Sequence, residues 1–195
     1  CLNFFLDKKL LMRKVNLIIL FFILITQIDF VFANDKIINE IKSGGKLIFI
    51  RHALAPGNGD PEIFDLYDCS TQRNLNSKGI EQSIQIGIFF KKNNIPIDIV
   101  LTSEWCRCKD TAKYAFKNFI TFNALNSFYD EKFYKNKEKQ VKDLKLYIKN
   151  WKGKKNLILI THFVVIQEIL NISANSGELV VSEKNFELIG TIETM

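Results

Sequence analysis

Histidine is nearly absent from this 195-residue chain: there are two, His52 and His162. Any chemistry that needs an imidazole is confined to those positions, and a metal centre of clustered histidines is excluded. Cysteine is scarce as well, with four in all. No Cys-x-x-Cys pair or His/Cys cluster at ligand spacing occurs, so no metal site is expected. Long hydrophobic runs are missing too. The longest, Leu17 to Ile25, is nine residues, well short of the roughly 18–20 needed to span hydrocarbon. The chain also lacks internal repeats, low-complexity tracts and linkers. Its 47% hydrophobic and 25% charged content therefore suits one domain with a real core.

What is present begins with a targeting pattern. The first residue is Cys1, and Met12 is the expected start, followed by a basic Arg13-Lys14, the apolar run to Ile25, and Val31-Phe32-Ala33 before Asn34. This predicts a secretory signal peptide over residues 1–33, with an upstream extension, and a single domain over 34–195. An uncleaved anchor over residues 15–32 is the alternative. The expected location is exported, in the periplasm, with membrane contact only through the signal segment. Cleavage would remove Lys8, Lys9, Arg13 and Lys14 against Asp7 and Asp29, reducing a net charge of +6 but leaving it positive. Such an excess suits anionic substrates and implies no nucleic acid. The lysines from Lys132 to Lys155 read as a solvated surface. Export would place Cys69, Cys106 and Cys108 in an oxidising compartment, which predicts a bridge from Cys69 to either Cys106 or Cys108.

Along the domain, Ile37, Ile38 and Ile41 predict a short helix stopped by Gly44-Gly45. Leu47 to Ile50 reads as a strand buried on both faces, delivering Arg51 and His52 at its carboxyl end, where open α/β sheets bind ligands. About twenty residues without periodicity follow, through Pro56, Gly57, Gly59 and Pro61 to Arg73. That is long for a connection and points to function beside the strand end. Asn76 is expected to cap a helix with Ile80, Ile84 and Ile88 on one face, Gly87 allowing close approach to the sheet. Ile97 to Leu101 predicts a second strand, and Ser103 the cap of a helix from Glu104 to about Phe119, with Arg107 near its start. Ile120 to Leu125 reads as a third strand and Lys139 to Lys149 as an amphipathic helix that Gly153 stops. A strand Leu157 to Ile160 then leads to His162, a helix through Leu170, and a hairpin of Gly177–Val181 with Phe186–Ile189. Alternating strands and helices imply right-handed crossovers and a three-layer α/β/α sandwich with a mainly parallel central sheet.

Both imidazoles thus follow strands, and Arg51 and Arg107 lie at similar strand ends. A phosphoryl group in transfer needs a nucleophile in line with phosphorus and rigid cationic donors on its equatorial oxygens. Arginine offers a planar fork for two oxygens, and histidine is a nucleophile when neutral and a donor when charged. Arg73 is either a substrate ligand or a surface ion-pair partner. Trp105 and Phe163 read as packing residues, and Cys106 and Cys108 as structural.

These residues fall in four ordered motifs. Arg51-His52-Ala53 resembles the Arg-His-Gly signature of the histidine phosphatase, or phosphoglycerate mutase-like, superfamily. Asn74-Leu75-Asn76-Ser-Lys-Gly79-Ile-Glu-Gln82 is similar to its Leu-Thr-x-x-Gly-x-x-Gln segment, Ser103 to Ala112 to its Ser-x-x-x-Arg and Thr-Ala signature, and Thr161-His162 to its late Gly-His. The resemblance covers about residues 45 to 182. It implies a phosphoglycerate mutase-like fold and a phosphatase that hydrolyses phosphomonoesters or phosphoramidates. In that scheme His52 attacks phosphorus, and Arg51, His52, Arg107 and His162 bind the phosphoryl group. The substrate would be a small phosphorylated molecule or envelope component, with no metal or organic cofactor. Ala53 and Thr161 replace glycines of the pattern. Asn126-Ser127-Phe128 stands where an acid for the leaving group is usual, leaving Glu131 and Asp130 as the first candidates and Glu178 as another. The alternative functions are a phosphate-binding envelope module on the same fold with the acid lost, and a membrane-tethered structural protein.

Overall fold

A computed structural model of the chain describes residues 35–194; the signal-like segment and its cleavage point lie outside them. Two apolar stretches organise the sheet. In strand β1 (Leu47–Arg51), Leu47 and Phe49 point to one face and Ile48 and Ile50 to the other, and in β4 (Asn156–Thr161) Leu157 and Leu159 alternate with Ile158 and Ile160 in the same way. All eight side chains are fully buried. A parallel strand covered on both sides must be apolar at consecutive positions, which is why no alternation shows in the sequence.

The six-stranded sheet runs β3-β2-β4-β1-β5-β6. β2 (Ile97–Thr102) pairs in parallel with β4 and with β3 (Ile120–Thr121), and β1 pairs in parallel with β4. β5 (Leu179–Ser182) runs antiparallel to β1, and β6 (Leu188–Ile192) antiparallel to β5, forming the expected hairpin. One core packs Ile48, Ile50, Ile158 and Ile160 against α1 (residues 35–43), α2 (Ser77–Lys92) and α3 (Cys106–Phe116). The other packs Leu47, Phe49, Leu157 and Leu159 against α5 (Lys137–Asn150) and α6 (Phe163–Leu170). This is the three-layer α/β/α arrangement. Among the described residues no helix is long and apolar enough to cross a membrane.

Several local expectations need correction. α2 starts as expected, the Asn76 side chain accepting the Gly79 N–H at 2.8 Å, but its buried face is Gly79, Ser83, Ile86 and Phe90. Ile84 and Ile88 are 42% and 48% exposed. The cause is close backbone approach: a Cβ on Gly79 would lie 2.1 Å from the Leu54 carbonyl oxygen, and one on Gly87 2.4 Å from that of Ala115. Gly87 therefore serves contact with α3 rather than with the sheet. α3 starts at Cys106 and ends at Phe116, and Ser103 does not cap it; Trp105 holds the cap position without a side-chain bond. The third strand is two residues long, because Asn123–Leu125 turns into a 3-10 helix. α5 ends at Asn150, before Gly153, and a one-turn helix α4 (Glu131–Tyr134) precedes it.

Candidate active site

The register places β1 beside β4 with Arg51 opposite Thr161, and the His52 N–H continues the ladder to the Thr161 carbonyl at 2.9 Å. The residues that follow each strand are consequently neighbours. The His52 and His162 rings lie 5.4 Å apart, centre to centre, at 66°. Each histidine is 2% exposed.

The hydrogen bonds identify the tautomers. His52 Nδ1 lies 2.8 Å from the Ala53 carbonyl oxygen. A carbonyl can only accept, so Nδ1 carries the proton and Nε2 is bare. Nε2 accepts from Arg107 Nε at 3.3 Å. His162 is oriented the other way round. Ser103 Oγ donates to Asn126 Oδ1 at 3.0 Å and so accepts from His162 Nε2, also at 3.0 Å. That leaves His162 Nδ1 bare, 3.4 Å from Arg107 Nη2. Asn126 is itself held, accepting the Glu104 N–H at 2.8 Å and donating to the Glu104 carboxylate at 2.6 Å. Burial, and after it the Arg107 charge, drive both histidines well below the ordinary imidazole value, His52 against the opposing pull of the Ala53 carbonyl. Both rings are neutral at pH 7. The Cys108 thiol, 3.5 Å from His162 Nε2, is pushed up to about 12 by burial and is no thiolate.

Three guanidinium groups converge on the same place. Arg51 donates from Nη1 to the Ala174 carbonyl at 2.8 Å and lies 5.3 Å from the centre of the Phe163 ring; its Nε–H is buried without a partner. Burial and the Arg107 charge lower the Arg51 value. Two like charges held close together, one of them with an orphaned N–H, make a field that favours an anion. Arg73 donates from Nε to the Gly59 carbonyl at 2.9 Å and from Nη1 to the Ala55 carbonyl. With Arg51, His52, Arg107 and His162 it lines a hollow of about 60 Å³, its guanidinium held by these two carbonyls rather than by a surface ion pair. Among the acid candidates, Asp130 lines this hollow. Glu131 does not; it is exposed at the start of α4. Glu178 faces a different depression beside Gln82 and Asn175, where its carboxylate accepts the Asn175 N–H at 2.6 Å.

The motifs between these residues hold the strand ends in place. Gln82 accepts the Leu54 N–H at 3.0 Å and donates to the Ser176 carbonyl at 2.7 Å, tying the loops that follow β1 and precede β5. Thr111 Oγ1 accepts the Ala53 N–H at 3.0 Å and donates to the Arg107 carbonyl at 2.7 Å. Ala53 is accommodated because its φ is not positive. Cys69 is bridged to Cys106, the first residue of α3, which staples the long loop beside Arg107; Cys108 is free and buried.

Asp60 was not expected at the site. Its carboxylate takes both ends of the Arg107 fork, Nη1 at 2.8 Å and Nη2 at 3.1 Å, within a Gly-Asp-Pro sequence that reads only as a turn.

No protein-family model matches the sequence, and a search of curated proteins finds no match. Solved structures do match. The protein histidine phosphatase SixA complexed with tungstate is similar over 76% of this chain and 97% of its own, at 13% identity and a TM-score of 0.54. A phosphoserine phosphatase variant from Entamoeba histolytica, in complex with phosphoserine, is similar over 76% and 97%, at 16% identity and a TM-score of 0.54. The fold is that of the histidine phosphatases. In this histidine phosphatase fold the carboxyl ends of β1 and β4 carry the two imidazoles, with α3 presenting Arg107 between them.

Proposed function

We propose that this protein is an exported phosphatase that hydrolyses phosphomonoesters or phosphoramidates through a phosphohistidine on His52. The observation that carries the proposal is the bare Nε2 of a neutral His52 facing the hollow that three arginines and a second imidazole surround. A buried neutral imidazole with its far nitrogen anchored is a nucleophile of fixed direction. The likeness to structures of a protein histidine phosphatase with tungstate, a tetrahedral oxyanion, and of a phosphoserine phosphatase with phosphoserine is in keeping with it.

The reaction then runs in two steps. The phosphoryl oxygens accept hydrogen bonds from Arg107 Nε and Nη2, from the unpartnered Arg51 Nε–H, and from Nδ1 of His162, which takes up a proton from solvent as the dianion enters. His52 Nε2 forms a bond to phosphorus as the bond to the leaving oxygen or nitrogen breaks, and Asp130, which lines the hollow, supplies the leaving group's proton. Water then attacks the phosphohistidine, returning its proton to Asp130 and freeing phosphate and Nε2. The positive groups hold charge as it spreads over the equatorial oxygens, where such stabilisation is worth most. Arg73 reaches the part of the substrate beyond the phosphoryl group. Export is supported by the Cys69–Cys106 bridge, which persists in oxidising compartments.

The test is direct. The purified protein is expected to release phosphate from an aryl phosphate, with turnover surviving a chelator, and His52→Ala to abolish release. Tight anion binding without turnover would favour the phosphate-binding module instead. Cell fractionation with sequencing of the mature amino terminus tests export.

A further inference from the structure

The loop carboxylate of Asp60 sits where an anionic substrate would seem to be opposed, and the manner of its contact resolves this. A guanidinium has an end-on fork, Nη1 with Nη2, and a side-on fork, Nε with Nη2. Asp60 occupies the end-on fork of Arg107, with Oδ1 to Nη1 at 2.8 Å and Oδ2 to Nη2 at 3.1 Å. The side-on fork is turned the other way. Its Nε faces His52 Nε2 at 3.3 Å, and its Nη2 faces His162 Nδ1 at 3.4 Å. Those are the two nitrogens between which a phosphoryl group must sit.

Asp60 is also not free to swing. Its oxygens accept two further donors, the Trp105 indole N–H at 3.0 Å and the Arg73 backbone N–H at 3.1 Å, and its side chain is 1% exposed. Withdrawing it would leave an indole and an amide unpaired in a buried place, so it is seated rather than plugging the site. Burial alone would raise its carboxyl. The Arg107 bonds and charge, with the Arg73 and Trp105 donors, hold it below the ordinary value instead, and a carboxylate so held is no proton donor to a leaving group.

We infer that Asp60 is a positioning residue, which grips the far side of the Arg107 guanidinium so that its near side presents two parallel N–H donors to the phosphoryl group between His52 and His162. The inference rests on the phosphatase reading above and adds to it the residue that sets the orientation of its central arginine.

The experiment measures inorganic phosphate affinity by titration, together with kcat and KM on an aryl and an alkyl phosphate, for the wild type, Asp60→Asn, Asp60→Glu and Trp105→Phe. In Asp60→Asn one oxygen of the grip becomes an N–H donor facing another donor. Phosphate affinity is expected to fall about tenfold to a hundredfold, the scale of one or two charge-assisted bonds. kcat is expected to fall on both substrates alike, and Asp60→Glu to restore part of the loss. Trp105→Phe, which keeps the aromatic packing and removes only the indole bond, is expected to move both quantities the same way by less. Unchanged or tighter phosphate binding in Asp60→Asn overturns the inference, since the carboxylate would then be a spectator or a competitor. Loss confined to the alkyl phosphate overturns it too, by making Asp60 the acid. If Asp60→Asn does not fold, Trp105→Phe decides: unchanged affinity and turnover overturn the inference. A wild type that neither binds phosphate nor turns over overturns it along with the phosphatase reading, whereas an active wild type with an indifferent Asp60 removes this inference alone.

Discussion

At His52 the feature that matters is which nitrogen holds the proton. The Ala53 carbonyl keeps it on Nδ1, and burial beside Arg107 keeps a second proton off Nε2. The sign of the pH response follows. Unfolded histidine titrates near 6.5 and both folded rings lie well below it, so as pH falls below about 6.5 the unfolded chain binds protons that the folded chain refuses. Stability is therefore full above that value and lost as pH falls beneath it. Urea melts at about pH 7.5 and about pH 5.5 are expected to show the lower midpoint at the acid pH; a midpoint that rises there would mean the rings are charged in the folded state. Because His52 stays neutral, the acid limb of kcat/KM is expected below the ordinary imidazole value. Asp130 makes a separate prediction. Asp130→Asn is expected to lower turnover of alkyl phosphates by roughly 10²–10⁴, the usual scale for a general acid, and that of phosphoramidates or activated aryl esters much less. Parallel rates across a series of leaving groups would count against it.

Among the elements, α2 and the stapled loop set the site's precision. Gly79 touches the Leu54 carbonyl two residues beyond His52, at a distance no Cβ tolerates. Gly79→Ala is expected to cost about 1–3 kcal/mol, the range for overpacking, and to lower kcat more than the stability loss accounts for, because Leu54 and the His52 backbone move together. Chemical denaturation alongside kinetics checks both parts. The Cys69–Cys106 bridge closes a separation of 37 residues that includes Arg73. Cys69→Ser is expected to cost about 3 kcal/mol, a fall in melting temperature of roughly 6–12 °C for a domain of this size, and calorimetry reads it. The choice of Cys106 over Cys108 was not legible in the sequence. Two positions apart on a helix face nearly opposite ways, and only the fold shows that Cys106 meets the loop while Cys108 lies under His162. The α2 face was misread for a related reason. Isoleucines mark a buried stripe only when nothing closer competes, and here the backbones of Leu54 and Ala115 required glycines.

For the whole molecule, one topological fact does most of the work. β1 and β4 are adjacent although 110 positions separate Arg51 from Thr161. Continuous apolar runs ending in Arg51-His52 and Thr161-His162 made this arrangement readable in advance, since buried parallel strands carry an unmistakable pattern and ligands collect at their carboxyl ends. The ordered Gly79, Gln82 and Thr111 were readable as motif, and the fold supplies their purpose as ties between loops. Asp60 and the Asn126–Ser103 support of His162 were not. Each depends on contacts between segments far apart in sequence, and a Gly-Asp-Pro turn or a serine before a helix has an ordinary local explanation that hides the long-range one. The bond on which the proposed reaction turns is the covalent one between His52 and phosphorus. The protein mixed with an aryl phosphate, quenched in denaturant under alkaline conditions and digested for mass spectrometry, is expected to carry one phosphoryl group on the peptide holding His52, at Nε2, and none in His52→Ala. A phosphoryl group found on another residue, or steady turnover by His52→Ala, would contradict it.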